Sequence, residues 1–164
     1  MRVGVFVNIS NQFAAISLKK KGYRVNYANY LKRVLDEQDK LVIAIAYGSQ
    51  VNNEASRFIY VLKKQGYVTK FVVSMQQNSQ DIIQPDRNVE MTIDILGLKD
   101  KVDKIIIGSN QVELVPLIHY LQMTGVKVNV ISPALSHQEG TINMDILNDE
   151  DIVEYIQSMR EKKK

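Results

Sequence analysis

Glu90 and Asp94 stand four residues apart in RNVEMTIDILGL, a spacing that puts both carboxylates on one face of a helix. A third acid, Glu113, follows the apolar run KIIIG and the polar stretch Ser109, Asn110 and Gln111. Asn8 closes another apolar run, RVGVFVN, with Ser10 and Asn11 just behind it. Brought to one rim, Glu90, Asp94, Glu113 and Asn8 would form an oxygen-rich pocket. Hard cations such as Mg²⁺ or Mn²⁺ prefer that ligand set. An ion held there could activate water and stabilise the leaving oxygen in phosphodiester cleavage. Other chemistries lack their residues. The chain has no cysteine, which excludes disulfides and thiolate metal sites. His119 and His137 are its two histidines, and neither stands beside a serine at a strand end. No Walker loop and no G-x-G-x-x-G is present.

Each candidate also has a purely structural reading. Glu90 and Asp94 can be a solvated helix face, although like charges at this spacing repel mildly and invite a cation or Arg87. Asn110 and Glu113 fit the Asn–Glu variant of a capping box. Asn8 can cap local backbone. Tyr23, Tyr27 and Tyr30 can stack bases beside Lys19, Lys20 and Lys21, or simply pack.

Positioning these residues falls to alternating strands and helices. Five β-branched runs read as strands: Arg2–Asn8, Leu41–Tyr47, Val68–Ser74, Lys104–Ile107 and Val126–Ile131. Most are apolar on consecutive residues, the mark of burial on both faces of a parallel sheet. Helical spacing falls over Tyr27–Gln38, Asn53–Gln65, Val89–Leu98 and Gln111–Thr124, with a last helix expected from about Asp149 to Met159. Gly66 and Gly125 read as C′ glycines, each followed by a strand. Pro116 should bend the helix that contains it. Met75–Asp86 and Ser132–Leu147 read as long loops. The expectation is an α/β fold: a three-layer α/β/α sandwich, Rossmann-like, with a mainly parallel sheet of about five strands. In such sheets ligands bind beyond the C-terminal strand ends, where Asn8, Ser109, Asn110 and Gln111 fall.

The 164 residues, 45% hydrophobic and 24% charged, suit one domain over 1–164, with a flexible tail at about 160–164. Net charge +3 and a pI near 9.0 are compatible with nucleic acid. Part of that excess sits in Lys19, Lys20 and Lys21 and in Lys162, Lys163 and Lys164, readable as a solvated loop and a frayed end. The opening MRVGVFVNIS is too short an apolar run for a secretory core or a membrane span, so a cytoplasmic protein without membrane contact is expected.

Four segments over residues 1–131 resemble the NYN domain, a branch of the PIN-like nuclease superfamily. VFVNISN (Val5–Asn11) is similar to the family's strand ending in D-G-x-N. LKKQGY (Leu62–Tyr67) leads into a strand, as is common there. RNVEMTIDIL (Arg87–Leu96) is similar to the K-x-V-D-x-x-x-x-D helix. IIIGSNQVELVPLI (Ile105–Ile118) is similar to a strand followed by G-S-G-D-S-D-F-V-P-L. Against that pattern the strand-one Asp is Asn8, the first helical Asp is Glu90, and the second is kept as Asp94. The motif's two later aspartates are Gln111 and Glu113, and its glycine is Asn110. Two negative charges are therefore lost to amides, which lowers the affinity of an oxygen site for a cation.

The resemblance implies a metal-dependent ribonuclease acting on single-stranded RNA. Asp94, Glu90 and Glu113 would hold Mg²⁺ or Mn²⁺, Asn8 and Gln111 would orient water or phosphate, and Arg87 would steer the RNA backbone. Asn11, Ser109 and Asn110 would complete the substrate rim. The loss of acids makes weakened cleavage the expectation. The alternative is a non-catalytic module that kept the fold for RNA or protein binding. A third reading is a self-associating domain, such as a homodimer.

Overall fold

The computed structural model describes residues 1–50, 56–73, 75–77, 81–83, 86–134 and 141–156, with backbone only for 75–77 and 81–83. Strands are β1 (Arg2–Asn8), β2 (Tyr23–Val25), β3 (Lys40–Gln50), β4 (Val68–Val73), β5 (Met75–Gln77), β6 (Asp81–Ile83), β7 (Lys104–Gly108), β8 (Lys127–Ser132), β9 (Ile142–Asp145) and β10 (Val153–Tyr155). Helices are α1 (Ile9–Lys19), α2 (Tyr27–Val34), α3 (Ser56–Lys64), α4 (Arg87–Leu98) and α5 (Val115–Met123).

The main sheet has six strands in the order β4-β3-β1-β7-β8-β9, each pairing parallel to its neighbour. Its strands alternate between two cores. Val3, Val5, Val7, Ala44 and Ala46 face a layer that includes Ile16 of α1, Tyr30 of α2 and Leu62 of α3. Phe6, Ile45, Tyr47, Ile105 and Ile107 face Met91 and Ile95 of α4 and Leu117, Ile118 and Leu121 of α5. Burial on both faces is why these runs carry no polar alternation. The chain moves from β1 outward to β3 and β4, then returns to the other side of β1 through α4 and β7. Strand order reverses at β1, so the crevice expected of an open parallel sheet lies above the C-terminal ends of β1, β3 and β7.

The five expected strands and the three-layer fold are present, with β9 as a sixth strand inside the expected second loop. Gly66 and Gly125 adopt φ of +102° and +86°, as C′ glycines do. Several expectations change. No helix begins at Asp149. Asp149 instead accepts from the backbone of Ile152 and Val153, and β10 pairs antiparallel with β2. The expected end of that helix, 157–159, and the tail lie outside the described residues, as do 53–55, Ser74, His137 and Gly140. α1 was not expected: Ile9, Gln12, Ala15 and Ile16 bury one face, but a glutamine in that face hides the apolar period. Within the expected loop Met75–Asp86, β5 and β6 pair antiparallel. Pro116 bends nothing, because it sits at the start of α5 where its missing N–H has no helical partner to lose. Tyr27 and Tyr30 are buried, and Tyr30 donates to the Ile131 carbonyl at 3.1 Å, so neither can stack a base. Among the described residues no helix is long and apolar enough to cross a membrane.

Candidate functional site

Asn8 sits at the last position of β1 and caps α1. Its Oδ1 accepts from the backbone N–H of Asn11 at 3.1 Å, the N-cap bond that starts the helix. The rest of its side chain, 4% exposed, points toward α4 and the end of β7. Its Nδ2 donates to Asn88 Oδ1 at 3.0 Å and to Gln111 Oε1 at 3.4 Å. Asn88 Nδ2 also donates to Gln111 Oε1. Asn11 Nδ2 donates to Asn110 Oδ1 at 2.7 Å, and the Asn110 backbone N–H donates to Asn11 Oδ1 at 3.0 Å. Gln12 Nε2 extends the group to Ser132 Oγ at 2.9 Å. Ser109 Oγ accepts from the Gln111 backbone at 3.2 Å. The strand-end residues thus converge as a web of carboxamides across β1, β7, α1 and α4.

A charged half lies beside it. Tyr47, the register partner of Asn8 on β3, donates its hydroxyl to Asp94 Oδ2 at 2.7 Å. Lys70 of β4 donates to the same oxygen at 2.8 Å. Burial, and then the Asp94 carboxylate, push the Tyr47 phenol well above its ordinary range, so it remains a donor throughout neutral pH. Arg87 is 6% exposed, pairs with Glu90 Oε2 at 2.6 Å, and donates to the Lys70 carbonyl at 2.9 Å. Its guanidinium lies 6.0 Å from the centre of the Tyr47 ring.

The expected meeting of Glu90, Asp94 and Glu113 does not form. Asp94 is tied to a lysine and Glu90 to an arginine, while Glu113 is exposed in a 3-10 turn (Val112–Leu114) and makes no hydrogen bond or ion pair among the described residues. No group of three carboxylates or histidines that could share an ion occurs among those residues. Nor does the Asn110–Glu113 capping box form: Gln111 is the N-cap of the turn, without a side-chain bond, and Asn110 is turned to Asn11. Arg87, expected to meet a substrate, is enclosed by its own partners.

Asn88, Lys70, Gln12 and Ser132 complete the site without having been marked by motif. Asn88, Met91 and Ile95 form one buried face at helical spacing, and that period points Asn88 inward. Lys70 is the one charged residue of the strand VTKFVV, the local signal it leaves.

A parallel sheet with a cluster of polar side chains at its switch point defines a Rossmann-like α/β protein with a candidate site at the strand C-termini. The NYN domain family model matches residues 2–156, and the chain belongs to that family, part of the PIN-like nuclease superfamily. Its fold is similar to the crystal structure of a protein of unknown function from Vibrio parahaemolyticus RIMD 2210633. That likeness has a TM-score of 0.79 and 21% identity, covering 93% of this chain and 96% of that one. No curated protein matches significantly.

NYN nuclease domains typically use divalent metals, and the donor set here does not fit one. The inward amide oxygens already accept hydrogen bonds, and the three carboxylates do not gather at one point. Asn8 Oδ1 accepts from Asn11, Asn88 Oδ1 from Asn8, and Gln111 Oε1 from both Asn8 and Asn88. Asp94 already holds an ammonium.

Proposed function

We propose that this protein is an RNA-binding NYN domain that does not hydrolyse its RNA. The observation that carries the reading is the state of Asp94, the one aspartate kept from the family pattern. Its Oδ2 is occupied by Lys70 at 2.8 Å and Tyr47 at 2.7 Å. A divalent ion would have to displace an ammonium that is already neutralising the carboxylate. Glu90, one turn away on the same helix, is neutralised by Arg87 and adds little to favour the exchange. Hydrogen-bonding groups still gather at the sheet's switch point. A net charge of +3 favours a polyanion over a neutral ligand.

The test is fluorescence anisotropy of a single-stranded RNA oligonucleotide over a salt series, run beside a cleavage assay and Mn²⁺ calorimetry. Expected are RNA affinity that falls steeply with salt, no heat of Mn²⁺ binding, and intact RNA with or without the ion. Mn²⁺-stimulated cleavage that Asp94→Ala abolishes would overturn the reading. RNA affinity that is absent at low salt would remove its nucleic-acid half.

A further inference from the structure

The carboxamide web has a direction, and that direction can be read from two backbone amides. A backbone N–H can only donate. Asn11 N donates to the Asn8 side chain, so the atom it meets must be Oδ1 and the other end of Asn8 must be the NH₂ group. That NH₂ faces Asn88, which must therefore present its oxygen to Asn8 and its own NH₂ to Gln111. Gln111 receives donors from both, so its oxygen points inward and its Nε2 points away from the web. The second relay is shorter. Asn110 N donates to Asn11, which sets Asn11 Oδ1 and turns Asn11 Nδ2 onto Asn110. Asn110 must then hold its oxygen inward and its Nδ2 outward.

Both relays end at adjacent residues on the rim, and both end in NH₂. Neither Gln111 Nε2 nor Asn110 Nδ2 donates to any described residue. Asn8 and Asn88 are 4% and 5% exposed, so reversing the relay would strand buried donors against donors. The neighbouring carboxylates Asp94 and Glu90 are neutralised by Lys70 and Arg87. Where the family pattern has a glycine followed by an aspartate, this rim presents two NH₂ groups, those of Asn110 and Gln111.

We infer that Asn110 and Gln111 form an anion-binding subsite for a tetrahedral phosphate group, its polarity set by the Asn8–Asn88 and Asn11 relays. In the setting of the proposed RNA-binding reading, on which this subsite's natural ligand rests, the group is a backbone phosphodiester. A free phosphate carries the same acceptor oxygens. Glu113, two residues beyond Gln111 and exposed, works against a dianion more than against a monoanionic diester.

The experiment follows the side-chain NH₂ resonances of Asn110 and Gln111 in the full chain by ¹H–¹⁵N correlation, during titration with a single-stranded RNA oligonucleotide and, separately, with inorganic phosphate. Both signals are expected to shift with RNA, and more weakly with phosphate. Gln111→Glu and Asn110→Asp put a carboxylate oxygen where the outward NH₂ was. Each is expected to weaken RNA binding roughly tenfold, a change worth about 1.4 kcal/mol. Gln111→Met serves as the uncharged variant should either acid disturb folding, and a roughly threefold loss is expected of it. Shifts with phosphate but no RNA binding would keep the subsite and remove the RNA reading. RNA binding that Gln111→Glu, Asn110→Asp and Gln111→Met all leave unchanged would keep the RNA reading and overturn the subsite. Side-chain NH₂ signals unmoved by both titrants would overturn it as well.

Discussion

The two ends of the parallel sheet are held by different chemistry. At the N-terminal end, charges meet charges. Lys104 of β7 is 6% exposed and contacts Asp39 at 2.6 Å and Asp36 at 3.5 Å, and the Met1 ammonium adds a contact to Asp39 at 3.4 Å. Arg2 pairs with Asp103 at 3.1 Å across the same end. At the C-terminal end, between β1 and β7, neutral amides meet amides. Ion pairs at the base tie β1 and β7 to the segment that leads into β3. The amide web pairs Asn8, Asn88 and Asn11 inside, leaves Gln12 Oε1 buried without a partner, and turns its spare donors outward at Asn110 and Gln111. In open α/β sheets the C-terminal end is where ligands bind, and here that end kept polarity while losing most of its net charge.

Breaking the base should cost the most stability. Asp39→Ala leaves Lys104 poorly partnered and is expected to cost about 2–3 kcal/mol, below the 3–5 of a fully enclosed pair because an open groove borders it. Thermal unfolding should shift down by roughly 5–10 °C. Asp39→Leu combined with Lys104→Met should recover most of that loss. A double variant as unstable as the single would assign the loss to something other than the stranded charge.

Asn8→Asp attacks the opposite end and should cost less, about 1–2 kcal/mol. Its larger consequence is polarity. The new carboxylate can only accept, so Asn88 and Gln111 must turn their NH₂ groups inward and Gln111 must turn its oxygen out. RNA affinity should fall. A variant that binds RNA as before would show that the relay does not control the rim.

A pH titration separates the ends further. Burial disfavours ionisation of Asp39, but hydrogen bonds from Lys104 and the Asp36 backbone and the charge of Lys104 outweigh it and hold the carboxyl below its usual range. A lowered folded pKa means the stabilisation is complete above the unfolded value of about 3.9 and fades as pH falls through the folded one. The gap in melting temperature between the wild type and Asp39→Asn should therefore be constant from neutral pH to about pH 5 and narrow below about pH 4. The amide end carries no such dependence, so the gap between the wild type and Gln111→Met should stay flat. A gap for Asp39→Asn that widens in acid would contradict the assignment.

Glu113→Gln should be the mildest change. The side chain is exposed and unpaired among the described residues, so stability should move by less than about 0.5 kcal/mol. RNA affinity should rise by roughly two- to threefold as one like charge leaves the rim. A fall in affinity would place Glu113 in contact with the ligand.

Strands and layers were legible because they depend on local pattern. VFV, VIAIA and KIIIG are apolar without alternation, and only a sheet covered on both faces uses such runs. The same reasoning failed for Ile9–Lys19, whose buried face includes Gln12, and for the segment after Asp149, where a turn and β10 replace a helix. In both, polar side chains take partners that local period cannot register: Ser132 for Gln12, and the Asp151 backbone N–H and the Arg33 guanidinium for Asp149.

Residue types alone determined that this chain would be a parallel α/β protein of the NYN kind, that its polar residues would gather at strand ends, and that two of the family's acids would be amides. Tertiary structure decided what those residues do. Whether Asp94 faces an ion or an ammonium depends on Lys70, 24 residues away on another element. Which end of Gln111 faces the crevice depends on a backbone N–H at Asn11, transmitted through Asn8 and Asn88. Charge is a property of a side chain, but the direction of a hydrogen-bond chain belongs to the set of groups that folding brings together.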